Sequence, residues 1–130
     1  MSVLTLAGMN HVSFPVKDLA RSVHFYRDVL GLASLPRPDL GFPGAWLGRN
    51  GIQVHLIQPP EGVELGSPPP SLNPLGGHIA FSIDDYDAVV AALHAAGIET
   101  LEAGSELGQL WVRDPDGNLI EFIAARPGRQ

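Results

Sequence analysis

Cysteine is absent from this 130-residue chain, and lysine occurs once. Without cysteine there is no disulfide framework, no thiolate nucleophile and no cysteine-ligated zinc site, and the chain is read as cytoplasmic. Basic residues are scarce as a class: eight Lys and Arg against fourteen Asp and Glu leave a formal net charge of −6. A surface of that sign does not suit nucleic acid or an anionic membrane as a partner. Long apolar runs are missing too. No segment approaches the roughly 20 residues that cross a bilayer, and the apolar stretch from Met1 to Gly8 lacks the basic flank and length of a signal peptide. What remains, 45% hydrophobic and 17% charged, is ordinary for a globular protein of one domain or of two small halves sharing a core.

The strongest signal present is a repeat. His11-Val12-Ser13-Phe14-Pro15-Val16 returns as His78-Ile79-Ala80-Phe81-Ser82-Ile83, an offset of 67 residues. Each copy then reaches an acidic residue (Asp18, Asp85) and an amphipathic run, which closes as Leu30-Gly31-Leu32 in one and Ala96-Gly97-Ile98 in the other. Later, Gly51-Ile52-Gln53-Val54-His55-Leu56-Ile57 aligns with Gly117-Asn118-Leu119-Ile120-Glu121-Phe122-Ile123.

Each copy reads as strand, helix, strand, strand, strand. In the first, about 8–58, strands are expected over 8–16, 32–35, 45–47 and 52–58. A helix over 19–30, capped by Asp18, carries Leu19, Val23, Tyr26 and Leu30 on one face and stops at Gly31. Residues 36–44 hold too many breakers for an element. Asn50-Gly51 is a hairpin turn signal. Residues 59–76 contain six prolines and form a linker with the character of a lid. In the second copy, about 77–124, strands are expected over 77–83, 98–101, 110–113 and 119–124. A helix over 85–96 has Tyr86, Val89, Val90 and Leu93 on its apolar stripe. Asp114-Pro115-Asp116-Gly117 is a turn, and Arg126–Gln130 a frayed tail. Neither half closes a core alone. The expected fold is α+β: two βαβββ modules forming a cupped, partly open eight-stranded barrel with the helices outside.

Strand parity then brings four side chains to the concave face. Residues i and i+2 share a face, and the bulky sets Val12/Phe14, Ile79/Phe81/Ile83, Val54/Leu56 and Ile120/Phe122 belong under the helices. His11, His55, His78 and Glu121 are left facing the cup. A carboxylate on an apolar concave face is costly unless paired or metal-bound, and three imidazoles with one carboxylate suit a divalent first-row ion: Zn²⁺, Ni²⁺, Co²⁺, Mn²⁺ or Fe²⁺. The bland alternative, four satisfied polar residues near sheet edges, leaves their equivalent places in the repeat unexplained.

The stretches His11-Val12-Ser13-Phe14, Phe25-Tyr26-Arg27-Asp28-Val29-Leu30-Gly31-Leu32, His78-Ile79-Ala80-Phe81 and Asp114-Pro115-Asp116-Gly117-Asn118-Leu119-Ile120-Glu121-Phe122 resemble the vicinal oxygen chelate superfamily. That group includes glyoxalase I, methylmalonyl-CoA epimerase, fosfomycin-resistance enzymes, extradiol dioxygenases and bleomycin-resistance proteins. The resemblance implies a homodimer of glyoxalase-like fold with metal ligands at His11, His55, His78 and Glu121. It implies a small-molecule substrate whose neighbouring oxygens chelate the ion, and lyase- or isomerase-like proton transfer in which His55 and Glu121 are the catalytic pair. Bacterial glyoxalase I typically has Glu, and the epimerase Gln, where His55 stands. An Fe²⁺ extradiol-type dioxygenase would use His11, His78 and Glu121 as ligands, with His55 as second-sphere acid/base. That type also carries a tyrosine where this chain offers Trp111. A third reading is a non-enzymatic antibiotic- or small-molecule-binding protein.

Around this set, Ser13, Gln53 and Gln109 are candidate substrate hydrogen-bond partners. Trp46, Trp111 and Phe42 are candidate pocket walls, with core or dimer packing as the alternative. Arg113 is expected to pair with Asp114 or another carboxylate, and His24 and His94 to lie on the surface. Met9 and Asn10 have no assigned role.

Overall fold

The computed structural model describes residues 3–125, so the expected tail over Arg126–Gln130 lies outside the described residues. The chain divides into two compact units, one ending at Val63 and the other beginning at Glu64. The proline-rich linker is therefore split between them, and each unit holds one copy of the repeat.

The first unit contains β1 (Val12–Pro15), α1 (Leu19–Val23) continuing into a π-helical segment (His24–Val29), β2 (Ala33–Leu35), β3 (Gly44–Arg49) and β4 (Ile52–Ile57). The sheet order is β1-β4-β3-β2. β1 runs parallel to β4 and the other pairings are antiparallel. The second unit repeats this with β5 (His78–Ile83), α2 (Tyr86–Ala95), β6 (Leu101–Gly104), β7 (Gln109–Arg113) and β8 (Leu119–Ala124), in the order β5-β8-β7-β6. Both are four-stranded mixed sheets of a βαβββ module, the α+β pattern expected from the repeat.

Alternation sorts each sheet into two faces. Leu47, Val54 and Leu56 are fully buried in the first unit, and Leu110, Val112 and Ile120 in the second. Each such side chain contributes roughly 2 kcal/mol through its removal from water. Phe14 stacks with Tyr26 at 6.1 Å, which places the even face of β1 under the helix. The opposite faces carry Ser13, Gln53, His55 and Trp46, and, in the second unit, His78, Trp111 and Glu121.

Asp18 and Asp85 cap their helices by accepting from Arg21 N and Ala88 N. The Asn50-Gly51 turn takes the expected form, with φ of 54° and 82° at the two residues. Two expectations change. The first helix widens: Leu30 N bonds Phe25 O, five residues back, which is the π-helical spacing. Ser22, Phe25 and Tyr26 are buried, while Leu19, Val23 and Leu30 of the expected stripe are half-buried. The strand expected at 98–101 instead runs Leu101–Gly104. Ile98 N is taken by Leu93 O and Gly97 N by His94 O, with Gly97 at a φ of 73°. That double closure of α2 removes Ile98 from any ladder. The β6–β7 register shifts between Glu102 and Gly104, opposite Leu110 and Gln109.

Candidate functional site

In the first unit three rings stack. The His55 ring lies between His11, at a centroid distance of 3.9 Å and 16°, and Trp46, at 4.5 Å and 11°. Trp46 is there because β3 pairs it directly with His55. His11 immediately precedes β1, whose register sets Ser13 opposite His55. His55 Nε2 lies 3.0 Å from Gln53 Oε1, and a carbonyl oxygen only accepts, so Nε2 carries the proton and Nδ1 the lone pair. The same reasoning for His11, whose Nδ1 lies 2.8 Å from Asn10 Oδ1, leaves its Nε2 lone pair free. His55 is buried at 9% exposure. Burial first, and then the His11 and Arg37 charges, hold its imidazole below the ordinary histidine range and so in the neutral form that can bind a metal or accept a proton.

In the second unit Glu121 is buried at 7% exposure with both carboxylate oxygens engaged. Oε1 lies 3.0 Å from His78 Nε2, and Oε2 accepts from Gln109 Nε2 at 3.1 Å. His78 Nδ1 donates to the Gly76 carbonyl at 2.8 Å, which turns the Nε2 lone pair toward the carboxylate. Two electron-rich atoms at that separation call for a proton or a cation between them. A metal-bound imidazole commonly donates its other N–H to a carbonyl in this way. Two atoms about 2.1 Å from one ion and at right angles would be about 3 Å apart. Trp111 pairs directly with Glu121 across β7 and β8, as Trp46 does with His55, and its indole nitrogen is buried without a hydrogen-bond partner.

A sequence model of the Glyoxalase/Bleomycin resistance protein/Dioxygenase superfamily matches residues 8–122. The chain belongs to this superfamily. Glyoxylase I 4 of Arabidopsis thaliana is 37% identical, over 92% of this chain and 71% of that protein. The lactoylglutathione lyase of Haemophilus influenzae is 34% identical, over 87% of this chain and 89% of its own length. Among solved structures, a glyoxalase/dioxygenase from Nostoc punctiforme superposes with a TM-score of 0.72 at 27% identity, covering 95% of this chain and 97% of that one.

For a chain of this superfamily the implied metal can be weighed against the donors present. The donor set fits a divalent first-row ion: His78 Nε2 faces a buried carboxylate, and His11 and His55 each have one ring nitrogen committed to an amide oxygen and the other free. They stand as a pair in each unit. Among the described residues no group of three His, Asp or Glu is gathered closely enough to hold an ion. Of the residues considered as substrate contacts, Gln53 and Gln109 are hydrogen-bonded to His55 and Glu121. Trp46 and Trp111 flank the same two side chains, and Ser13 is exposed on β1. His24 and His94 lie on the surface, paired with Asp28 and Glu102. Arg113 pairs with Glu99.

Sequence reasoning missed two residues here. Asn10 orients His11; its position beside a candidate ligand was the available signal. Arg37, inside the breaker-rich loop, lies near enough for its charge to act on His55. No sequence signal marked it, because β2 ends at Leu35 and the pairing of Leu35 with Trp46 that leads the loop to this face is a tertiary feature.

Proposed function

We propose that this chain is a divalent-metal-dependent enzyme of the glyoxalase type, catalysing lyase- or isomerase-like proton transfer on a small molecule with neighbouring oxygens. The proposed ligands are His11, His55, His78 and Glu121. A metal bound there would act as a Lewis acid, polarising the substrate's vicinal oxygens and acidifying the adjacent carbon. The observation that carries the reading is the buried carboxylate of Glu121, bracketed by His78 Nε2 and Gln109 Nε2.

The chain's own groups divide the remaining work. Glu121 is the acceptor for the substrate proton, and the Gln109 amide holds its Oε2 so that the carboxylate cannot swing. His55, kept neutral by burial, has one lone pair, on Nδ1, and as a ligand it gives that pair to the ion. Only in the dioxygenase alternative, where it is not a ligand, would the same pair take and return a proton. The indoles of Trp46 and Trp111, each beside one of these side chains, supply apolar walls that exclude water. The names of the two relatives above, a glyoxylase I and a lactoylglutathione lyase, support this class of reaction.

Elemental analysis of protein purified without added metal, joined to a screen of 2-oxo aldehydes, catechols and acyl thioesters, tests the reading. The expected result is near-stoichiometric divalent metal and isomerisation of a 2-oxo aldehyde adduct. His78→Ala and Glu121→Gln should each lose the metal, with rate losses of about 100-fold or more. A folded wild-type protein that takes up no divalent ion would end the proposal. Catechol-dependent oxygen consumption by wild type, with His55→Ala keeping its metal but losing turnover, would replace it with the Fe²⁺ dioxygenase.

A further inference from the structure

Arg37 is the one described arginine whose guanidinium is built into a seat on the His55 face. Its Nη2 donates to the Phe42 carbonyl at 3.1 Å, and its guanidinium carbon stands 5.0 Å over the Phe42 ring. The seat is made by Gly44: a β-carbon there would come within 2.8 Å of Arg37 Nη2 and 2.9 Å of its central carbon. Gly44 and Trp46 point to the same side of β3, and Trp46 pairs with His55. The guanidinium therefore lies one strand step, about 7 Å, from the Trp46–His55 pair.

This cation is held but not neutralised. Arg27 is paired with Asp28 and Arg113 with Glu99, whereas among the described residues no carboxylate meets Arg37. Its Nε is buried with no acceptor, so that edge is closed to a ligand. The open end comprises Nη1 and the second hydrogen of Nη2, two parallel donors in the fork that matches an oxyanion. In a chain of net charge −6, a fixed and unmatched guanidinium is a local exception to a field that repels anions.

We propose that Arg37 is a substrate-recognition residue that takes an oxyanion, a carboxylate or a phosphonate-like group, carried by the substrate a few atoms from its chelating oxygens. The proposal deepens the metalloenzyme reading and rests on it for the word substrate. The anion site itself requires no metal.

Titration calorimetry of metal-free protein with methylphosphonate, and separately with acetate, tests the site. Wild type should bind one of the two saturably, the preferred ion identifying the chemistry of the arm. Arg37→Gln should weaken that binding by about tenfold or more. Arg37→Lys, which keeps the charge on a flexible stem, should fall between them at equal thermal stability. The Lys–Gln difference isolates the positive charge, and equal thermal stability separates anion recognition from an effect on the loop contact with Phe42. Metal content should be the same in all three proteins. Equal affinity in wild type and Arg37→Gln, or no saturable binding by wild type, overturns the proposal. Loss of metal binding with the anion site intact would instead count against the metalloenzyme reading alone.

Discussion

His94, Thr100 and Glu102 form an exposed cluster in the second unit. His94 Nε2 lies 2.8 Å from Glu102 Oε2 and 3.2 Å from Thr100 Oγ1, and the Thr100 hydroxyl donates to the same carboxylate oxygen. The hydroxyl first, and His94 second, hold the Glu102 carboxyl below the ordinary glutamate range. A depressed carboxylate contributes stability at pH above its unfolded value, and that contribution is lost as pH falls through the lowered one. Carbon-detected NMR titration should place the Glu102 midpoint below that of a free glutamate. Thr100→Ala should raise the midpoint more than His94→Ala does; the reverse order would show that the imidazole, not the hydroxyl, sets this carboxyl. At this scale the sequence disclosed which face each strand residue takes, because alternation is local. It did not disclose what Asn10, Gln109 and Gly76 do for their neighbours. Gln109 reaches Glu121 across two strands whose register pairs it with Ile123, and register is a tertiary quantity.

Among elements, the turn from β7 to β8 carries the most concentrated polar wiring. Asp114 is buried at 4% exposure. Its Oδ1 accepts from Asp116 N at 2.9 Å and Asn118 N at 2.8 Å, and its Oδ2 from Asn118 Nδ2 at 2.9 Å. The turn delivers Glu121 at the correct register, so removing that carboxylate strands donors beside the site. Asp114→Ala should cost about 3 kcal/mol. Asp18→Ala, which removes a helix cap bond of 3.2 Å on an exposed carboxylate, should cost about 1 kcal/mol. Urea midpoints for the two variants would decide it, and a smaller loss at Asp114 would refute the ranking. The element order, the Asp18 cap and the hairpin were legible because each depends on residues within a few positions of one another, whereas Asp85, expected inside its helix, caps it. The π-helical segment was not. Phe25 and Tyr26, whose rings meet edge-on at 5.1 Å, are both buried within it, and no periodicity announces it. The end of α2 could have been read more closely, since the glycine that stops a helix also occupies the backbone of the residue after it.

For the whole molecule, the consequence of a duplicated module is that each copy brings its own reporter: Trp46 in the first unit and Trp111 in the second. An ion that binds the native state alone stabilises whatever must unfold to release it, by about 2.7 kcal/mol at a free concentration 100 times its dissociation constant. If His11, His55, His78 and Glu121 all ligate one ion, as proposed, neither copy can unfold without giving up ligands. Added metal should then raise the urea midpoint reported by Trp46 in Trp111→Phe and by Trp111 in Trp46→Phe to the same extent. Glu121→Gln should abolish both shifts, although it alters only the second copy. If the His78–Glu121 pair acted alone, Trp111 would report the shift and Trp46 would not, and the three-imidazole ligand set would have to be abandoned for a site confined to one repeat.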